Sequence, residues 1–226
     1  MAQSCQLSKI GRTLNESTCL KKAIDRLTAN LSAFENGEGY HTLGVSALTP
    51  EKKQPIGVYT KVYSAADPSF ISEDHEALMA LKFLSKHFKK SNIRAFDRGY
   101  DANVYYRHLI SNGEKFIIRS KKNRDVLYKG ETINILEFAN RFKGKYGLKF
   151  RKKNGMSADC KITIVPIRLY YRPNDDLNLV ICYGFAKTSM MLITNLCISM
   201  PISIIFHKTF KKVYNDRHPT ANYIRA

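Results

Sequence analysis

The run Ile93–Lys122, "IRAFDRGYDANVYYRHLISNGEKFIIRSKK", limits the fold of this chain more than any other stretch. An apolar-leaning start, Ile93 to Phe96, runs into Asp97, Arg98 and Gly99. Asp and Gly are turn formers, so a short strand is expected to stop there. A helical segment follows at about 101–112, then a second β-like run at 115–120. A strand–helix–strand unit of this kind implies an α/β protein.

The flanking segments fit that class. "YHTLGVSAL" (40–48) and "IGVYTKVYS" (56–64) read as strands, and "TPEKKQP" between them reads as a turn, giving a β-hairpin. A helix is expected after Ser72, its cap, with Glu73, Asp74 and Glu76 in the first turn and Lys86, Lys89 and Lys90 at the end. That charge order suits the helix dipole. Ala77, Leu81, Leu84 and Phe88 form its apolar face, while His75 and His87 are expected to face solvent. Upstream, Leu20, Ile24, Leu27 and Leu31 predict an amphipathic helix over 13–34, and "ENGEGY" reads as a loop. From about 124 to 195 the signals are mostly β: "DVLYKG", "YGLKFRKK", "CKITIVPIRLYY" and "NLVICYGF". Only "INILEFANRF" (133–142) looks helical there.

The charge narrows the partners. The net charge of +18 is concentrated between Lys82 and Arg172, where 23 Lys or Arg face 7 Asp or Glu. Such a field attracts polyanions, and nucleic acid is the expected partner ahead of an acidic membrane surface. The cationic candidates are Arg98, then Lys121, Lys122 and Arg124, then Arg151, Lys152 and Lys153. Each cluster reads either as a track for a DNA backbone or as a solvated turn. Arg98 reads equally as a phosphate contact or as the partner of a nearby carboxylate. Tyr105, Tyr106, Tyr170 and Tyr171 read as packing residues.

Other chemistries find no support. The cysteines number five and form no CxxC, so neither a zinc site nor a disulfide framework is expected, and reduced thiols suit a cytoplasmic protein. The histidines form no HxxxH or HExxH, and neither GxSxG nor a Gly-rich phosphate loop occurs. Thr188–Phe206 is uncharged, nearly a membrane span in length, but Asn195 and Pro201 interrupt it. Buried strands, or a tail outside the fold, are expected there, and a membrane partner is not. What remains is carboxylate-and-metal chemistry. Mg²⁺ takes oxygen ligands from carboxylates and substrate phosphates; Asp97 at a strand end has the right local setting, and such a site needs further acids beside it.

"AFDRGYD" (95–101), with "YRHLISNGEKFIIRSKKN" behind it, resembles the second-Asp region of DDE transposases of bacterial insertion sequences, in the branch with a β-rich insertion before the final acid. "IGRTLNESTCLKKAIDRLTANLSAF", "GYHTLGVSALTPEKKQPIGVYTKVYS" and "LNLVICYGFAKTSMMLITNL" resemble the same family in the same order, so the similarity covers roughly residues 3 to 196. The resemblance implies a ribonuclease-H-like catalytic domain. Three acids would hold two Mg²⁺ ions that cut and join transposon ends, with Asp97 as the second acid, catalytic and metal-binding.

Two departures follow. The family's first acid lies on a strand just before "GYHTLGVSAL", and here that strand is missing; Glu35 and Glu38, the nearest acids, lie in a loop-like context. At the C-terminus, Tyr214 and Arg217 match the family's final motif, but Ala221 stands at the Glu position, and residues 197–212 no longer resemble the family. The expected organisation is a helical N-terminal segment (1–36), an incomplete ribonuclease-H-like mixed sheet with flanking helices (37–123), a β-rich insertion (124–196) and a divergent tail (197–226). One acid of three predicts a chain inactive alone: a DNA-binding remnant that self-associates or interferes with an intact transposase.

Overall fold

A computed structural model of the chain describes residues 40–48, 55–90, 92–151, 157–184, 188–197 and 222–225. The expected helix at 13–34, Glu35, Glu38, Lys152, Lys153, Tyr214 and Arg217 lie outside the described residues. The fold is mixed α/β, dominated by one mixed sheet with few helices.

The hairpin forms as expected. Strands β1 (Tyr40–Leu48) and β2 (Pro55–Ser64) pair antiparallel. Leu43 and Val45, two residues apart, both turn into the core, as the period of a strand requires. Helix α1 (Glu73–His87) lies against this hairpin. Ser72 caps it, its Oγ accepting from the His75 N–H at 3.0 Å. The buried face consists of Glu76, Ala77, Ala80, Leu81 and Leu84. Ala80 and Glu76 join the expected Ala77, Leu81 and Leu84, while Phe88 stands at the C-cap, half-buried. Glu76 pairs with Lys61 on β2, which offsets the cost of burying its carboxylate.

Strands β3 (Ile93–Phe96) and β4 (Lys115–Arg119) are parallel neighbours, joined through helix α2 (Asn103–Ser111). Gly113 ends this helix at φ +65, a conformation that costs glycine nothing, and the Glu114 N–H then closes on the Leu109 carbonyl at 2.9 Å. Tyr105, Tyr106 and Leu109 bury one face of α2 beneath the sheet's main core.

The β-rich stretch continues the same sheet. It comprises β5 (Asp125–Tyr128), β6 (Glu131–Asn134), helix α3 (Ile135–Asn140), β7 (Tyr146–Arg151), β8 (Ser157–Leu169), β9 (Arg172–Tyr183) and β10 (Met190–Thr194). β6 replaces the start of the helix expected at 133–142. The helix begins only at Ile135 because the Asn134 Oδ1 accepts from the Leu136 and Glu137 N–H groups. β10 lies between β4 and β9 with all five residues buried. That accounts for the part of the uncharged run that lies in β10: a strand covered on both faces shows no alternation. Among the described residues no helix is long and apolar enough to cross a membrane.

A last strand, β11 (Asn222–Arg225), completes the order β2-β1-β11-β3-β4-β10-β9-β8-β5-β6, with β7 on the flank of β8. Alternate residues along β4, β9 and β10 fill two cores. Phe116, Ile118, Leu179, Ile181, Met191 and Ile193 belong to the larger one, while Ile117, Val180, Cys182, Met190 and Leu192 belong to a smaller one.

Candidate functional site

The parallel pair β3–β4 brings its two carboxyl ends side by side, the usual place for ligands on an open α/β sheet. Phe96 is level with Ile118, so the next residues, Asp97 and Arg119, come out together. Asp97 is 63% exposed at its side chain, and its Oδ1 lies 3.4 Å from Arg119 Nη1. A pair this open contributes at most about 1 kcal/mol. Its effect is on charge: the carboxylate is already answered by a guanidinium.

After Asp97 the chain makes a single 3₁₀ turn, Arg98–Tyr100, closed by the Tyr100 N–H on the Asp97 carbonyl at 3.0 Å. This turn throws Arg98 and Gly99 outward and Tyr100 inward. The loop after β4 supplies Lys121, Lys122 and Asn123, all exposed. Arg98, Gly99, Lys121, Lys122 and Asn123 line one open depression of about 430 Å³. Three of the expected DNA-contact residues therefore meet, although 23 positions separate Arg98 from Lys121.

Arg124, expected to share their task, has another. Its Nε donates to Asp101 Oδ1 at 2.5 Å, one Nη to the Asp101 carbonyl at 3.0 Å, and the other to Asn103 Oδ1 at 3.1 Å. Its guanidinium also lies 5.0 Å from the centre of the Tyr106 ring. With its side chain only 10% exposed, Arg124 is turned inward and has little left for a phosphate. Sequence neighbourhood had suggested a shared role; the pull of a buried carboxylate gives it a different one. For the second basic cluster, only the backbone of Arg151 is described, at the end of β7, and Lys152 and Lys153 are outside the described residues.

Asp101 is the residue that the sequence reading missed. It is 3% exposed. Besides Arg124, its carboxylate accepts from Tyr106 Oη at 2.8 Å, Ser120 Oγ at 3.0 Å and the Lys121 backbone N–H at 2.6 Å. It therefore anchors the very loop that carries Lys121 and Lys122. The available signal was the second Asp of "DRGYD", placed just ahead of a helix that brings Tyr106 round to the same side.

The tyrosines around this anchor give a pH prediction. Burial pushes the phenols of Tyr100, Tyr105 and Tyr106 well above their ordinary value, and that of Tyr171 to about 12. The Tyr105 hydroxyl also donates to Asp74 at 2.6 Å, which favours its neutral form. An unfolded tyrosine gives up its proton near 10. Between roughly pH 10 and the raised folded values, the unfolded chain binds fewer protons than the folded one, so stability falls as pH rises past about 10. An alkaline titration should show these phenolates appearing together with loss of the circular dichroism of the fold. Ionisation of every tyrosine with the fold intact would contradict the assigned burial.

Asp97 is the carboxylate at the β3–β4 strand ends; Arg119 lies 3.4 Å from it and Arg98 follows it in the chain. Among the described residues no group of three or more His, Cys, Asp or Glu converges. Mg²⁺ is held by carboxylates and substrate oxygens, and flanking cations oppose it by like charge. Among the described residues, Asp97 by itself does not make up the donor set of a paired-metal centre. Comparison with protein-family models and with curated proteins found no match to this chain.

Proposed function

We propose that this chain is a transposase-derived protein that grips the phosphate backbone of DNA at the carboxyl ends of β3 and β4, and that it does not cut DNA unaided. The observation that carries the reading is the meeting of Arg98, Lys121 and Lys122 around one open depression in a protein of net charge +18. Phosphate contacts of this sort position DNA without reading its sequence. The family half of the proposal rests on the resemblance of residues 3 to 196. A parallel β3–β4 pair flanked by an antiparallel hairpin is compatible with an incomplete ribonuclease-H-like core. The non-catalytic half rests on the absent family acids and on the cations around Asp97. Association with a second copy, or with an intact transposase, belongs to the same reading.

Two assays separate the halves. Lys121→Ala with Lys122→Ala should weaken binding to any duplex by roughly tenfold at low salt, evenly across sequences. Binding that stays unchanged, or changes only for particular sequences, would count against the phosphate grip. Strand cleavage and transfer on DNA carrying the gene's flanking ends, with Mg²⁺ or Mn²⁺, should give no product. Product that disappears in Asp97→Ala would overturn the non-catalytic assignment.

A further inference from the structure

β11 has an unusual position. In the sheet order it alone connects the β1–β2 hairpin to β3 and everything beyond, among the described residues. It is parallel to β1, matching Leu43–Ser46 with Asn222–Arg225, and antiparallel to β3, where Arg225 meets Ala95. β1 is nine residues long and β3 four, so the register leaves much of both inner edges without a β11 partner. Unfilled strand edges recruit other strands.

The hairpin does not depend on β11 for its seat. Leu43 and Val45 share a core with Ala77, Leu81 and Leu84 of α1, and Lys61 is paired to Glu76. Withdrawal of β11 therefore opens a strand-wide slot between β3 and a hairpin that α1 still holds in place. Residues 198–221 join β10 to β11, and a run of that length reaches roughly 80 Å when extended, enough to enter a neighbouring molecule. A strand that makes identical pairs in its own chain or in a twin is exchanged at low cost.

We propose that β11 is an exchangeable latch which two copies of this chain trade reciprocally, each closing the slot between β1 and β3 of the other. This inference rests on the sheet topology and stands apart from the DNA reading. The strong positive charge opposes the approach of two copies, so added salt should favour the exchanged dimer while it weakens DNA binding.

The test uses the full chain with Ser46→Cys and Arg225→Cys, which are partners in the β1–β11 register. Equal pools of ¹⁵N-labelled and unlabelled protein are unfolded together, refolded at high salt and oxidised. Mass spectrometry then reads the peptide joining positions 46 and 225. Reciprocal exchange predicts that about half of the joined peptides combine a heavy and a light strand. Joined peptides that are all heavy–heavy or light–light would show a latch that stays at home and would overturn the exchange. Absence of any 46–225 link would overturn it as well. Should the double variant not refold, pools of wild-type and of Tyr223→Pro chain, whose proline cannot donate to the β11 ladder, are treated in the same way and read by native mass spectrometry. Heavy–light dimers formed by the wild type and lost in Tyr223→Pro support the proposal, whereas monomers alone, or dimers that persist in Tyr223→Pro, refute it.

Discussion

Asp101→Ala is expected to cost about 3–5 kcal/mol of stability, the range seen when one partner of a buried ion pair is removed. The carboxylate is 3% exposed and accepts from Tyr106, Ser120, the Lys121 N–H and Arg124. Alanine takes away the acceptor of the Arg124 Nε–H, of the Tyr106 hydroxyl and of the Lys121 N–H in a buried site, leaving the guanidinium only its bonds to Asn103 and to the backbone carbonyl of residue 101. Domains of this size hold only about 5–15 kcal/mol in total, so the variant should melt far below the parent or fail to accumulate. Asp101→Asn should recover little, because an amide has one acceptor oxygen in place of two. The functional consequence follows from the same bonds. The Lys121 N–H is tied to Asp101, so whatever fraction folds should also bind DNA less well than its intact lysines predict. Equilibrium urea unfolding, read beside binding, checks both. A variant as stable as the parent would mean that Asp101 is not the anchor of the loop after β4.

The second large effect concerns the opposite end of the same strands. Arg94 on β3 and Glu114 just before β4 are both fully buried, joined by Nε to Oε2 at 2.5 Å and Nη2 to Oε1 at 2.9 Å. Ser85 of α1 adds its hydroxyl to the same carboxylate, and Asn195 donates to the Glu114 carbonyl at 2.7 Å. Glu114→Ala strands a positive charge where Arg94 Nη1 already has no partner, and the expected loss is again about 3–5 kcal/mol. Arg94→Met should lose a similar amount by stranding the carboxylate. The double variant Arg94→Met with Glu114→Leu should be far more stable than the two losses added together, since a hydrophobic pair of similar volume replaces both charges without desolvation. Strict additivity would show that the two charges do not depend on each other.

These two clusters mark the limit of what the residues disclose in one dimension. The hairpin, the Ser72-capped helix and the strand–helix–strand unit were legible because each advertises a period, a cap or a turn within its own length. β6 was not, because "ETIN" has one apolar residue and runs into a helical pattern; Asn134 could have been read as the cap dividing them. β11 was not, since strand pairing across the whole chain cannot be inferred from four residues. Arg98, Lys121 and Lys122 could be singled out as cationic candidates from the sequence, and β3–β4 pairing explains why they meet. Arg124 misled because it sits two residues from Lys122, while its partner Asp101 lies far back in the chain. Buried ion pairs between distant positions leave no local trace, so Arg94–Glu114 was invisible as well.

If DNA is held through its phosphates by Arg98, Lys121 and Lys122, as proposed, removing them must change the salt dependence of binding. The logarithm of affinity is measured against the logarithm of salt concentration for the parent, for Arg98→Ala/Lys121→Ala/Lys122→Ala, and for a control triple at the end of α1, Lys86→Ala/Lys89→Ala/Lys90→Ala. Each lost phosphate contact lowers the slope by about 0.9, so the site triple should flatten it by roughly 3. The control should leave most of the slope in place. A site triple with the parent's slope, or a control triple that flattens the slope as much, would contradict the account.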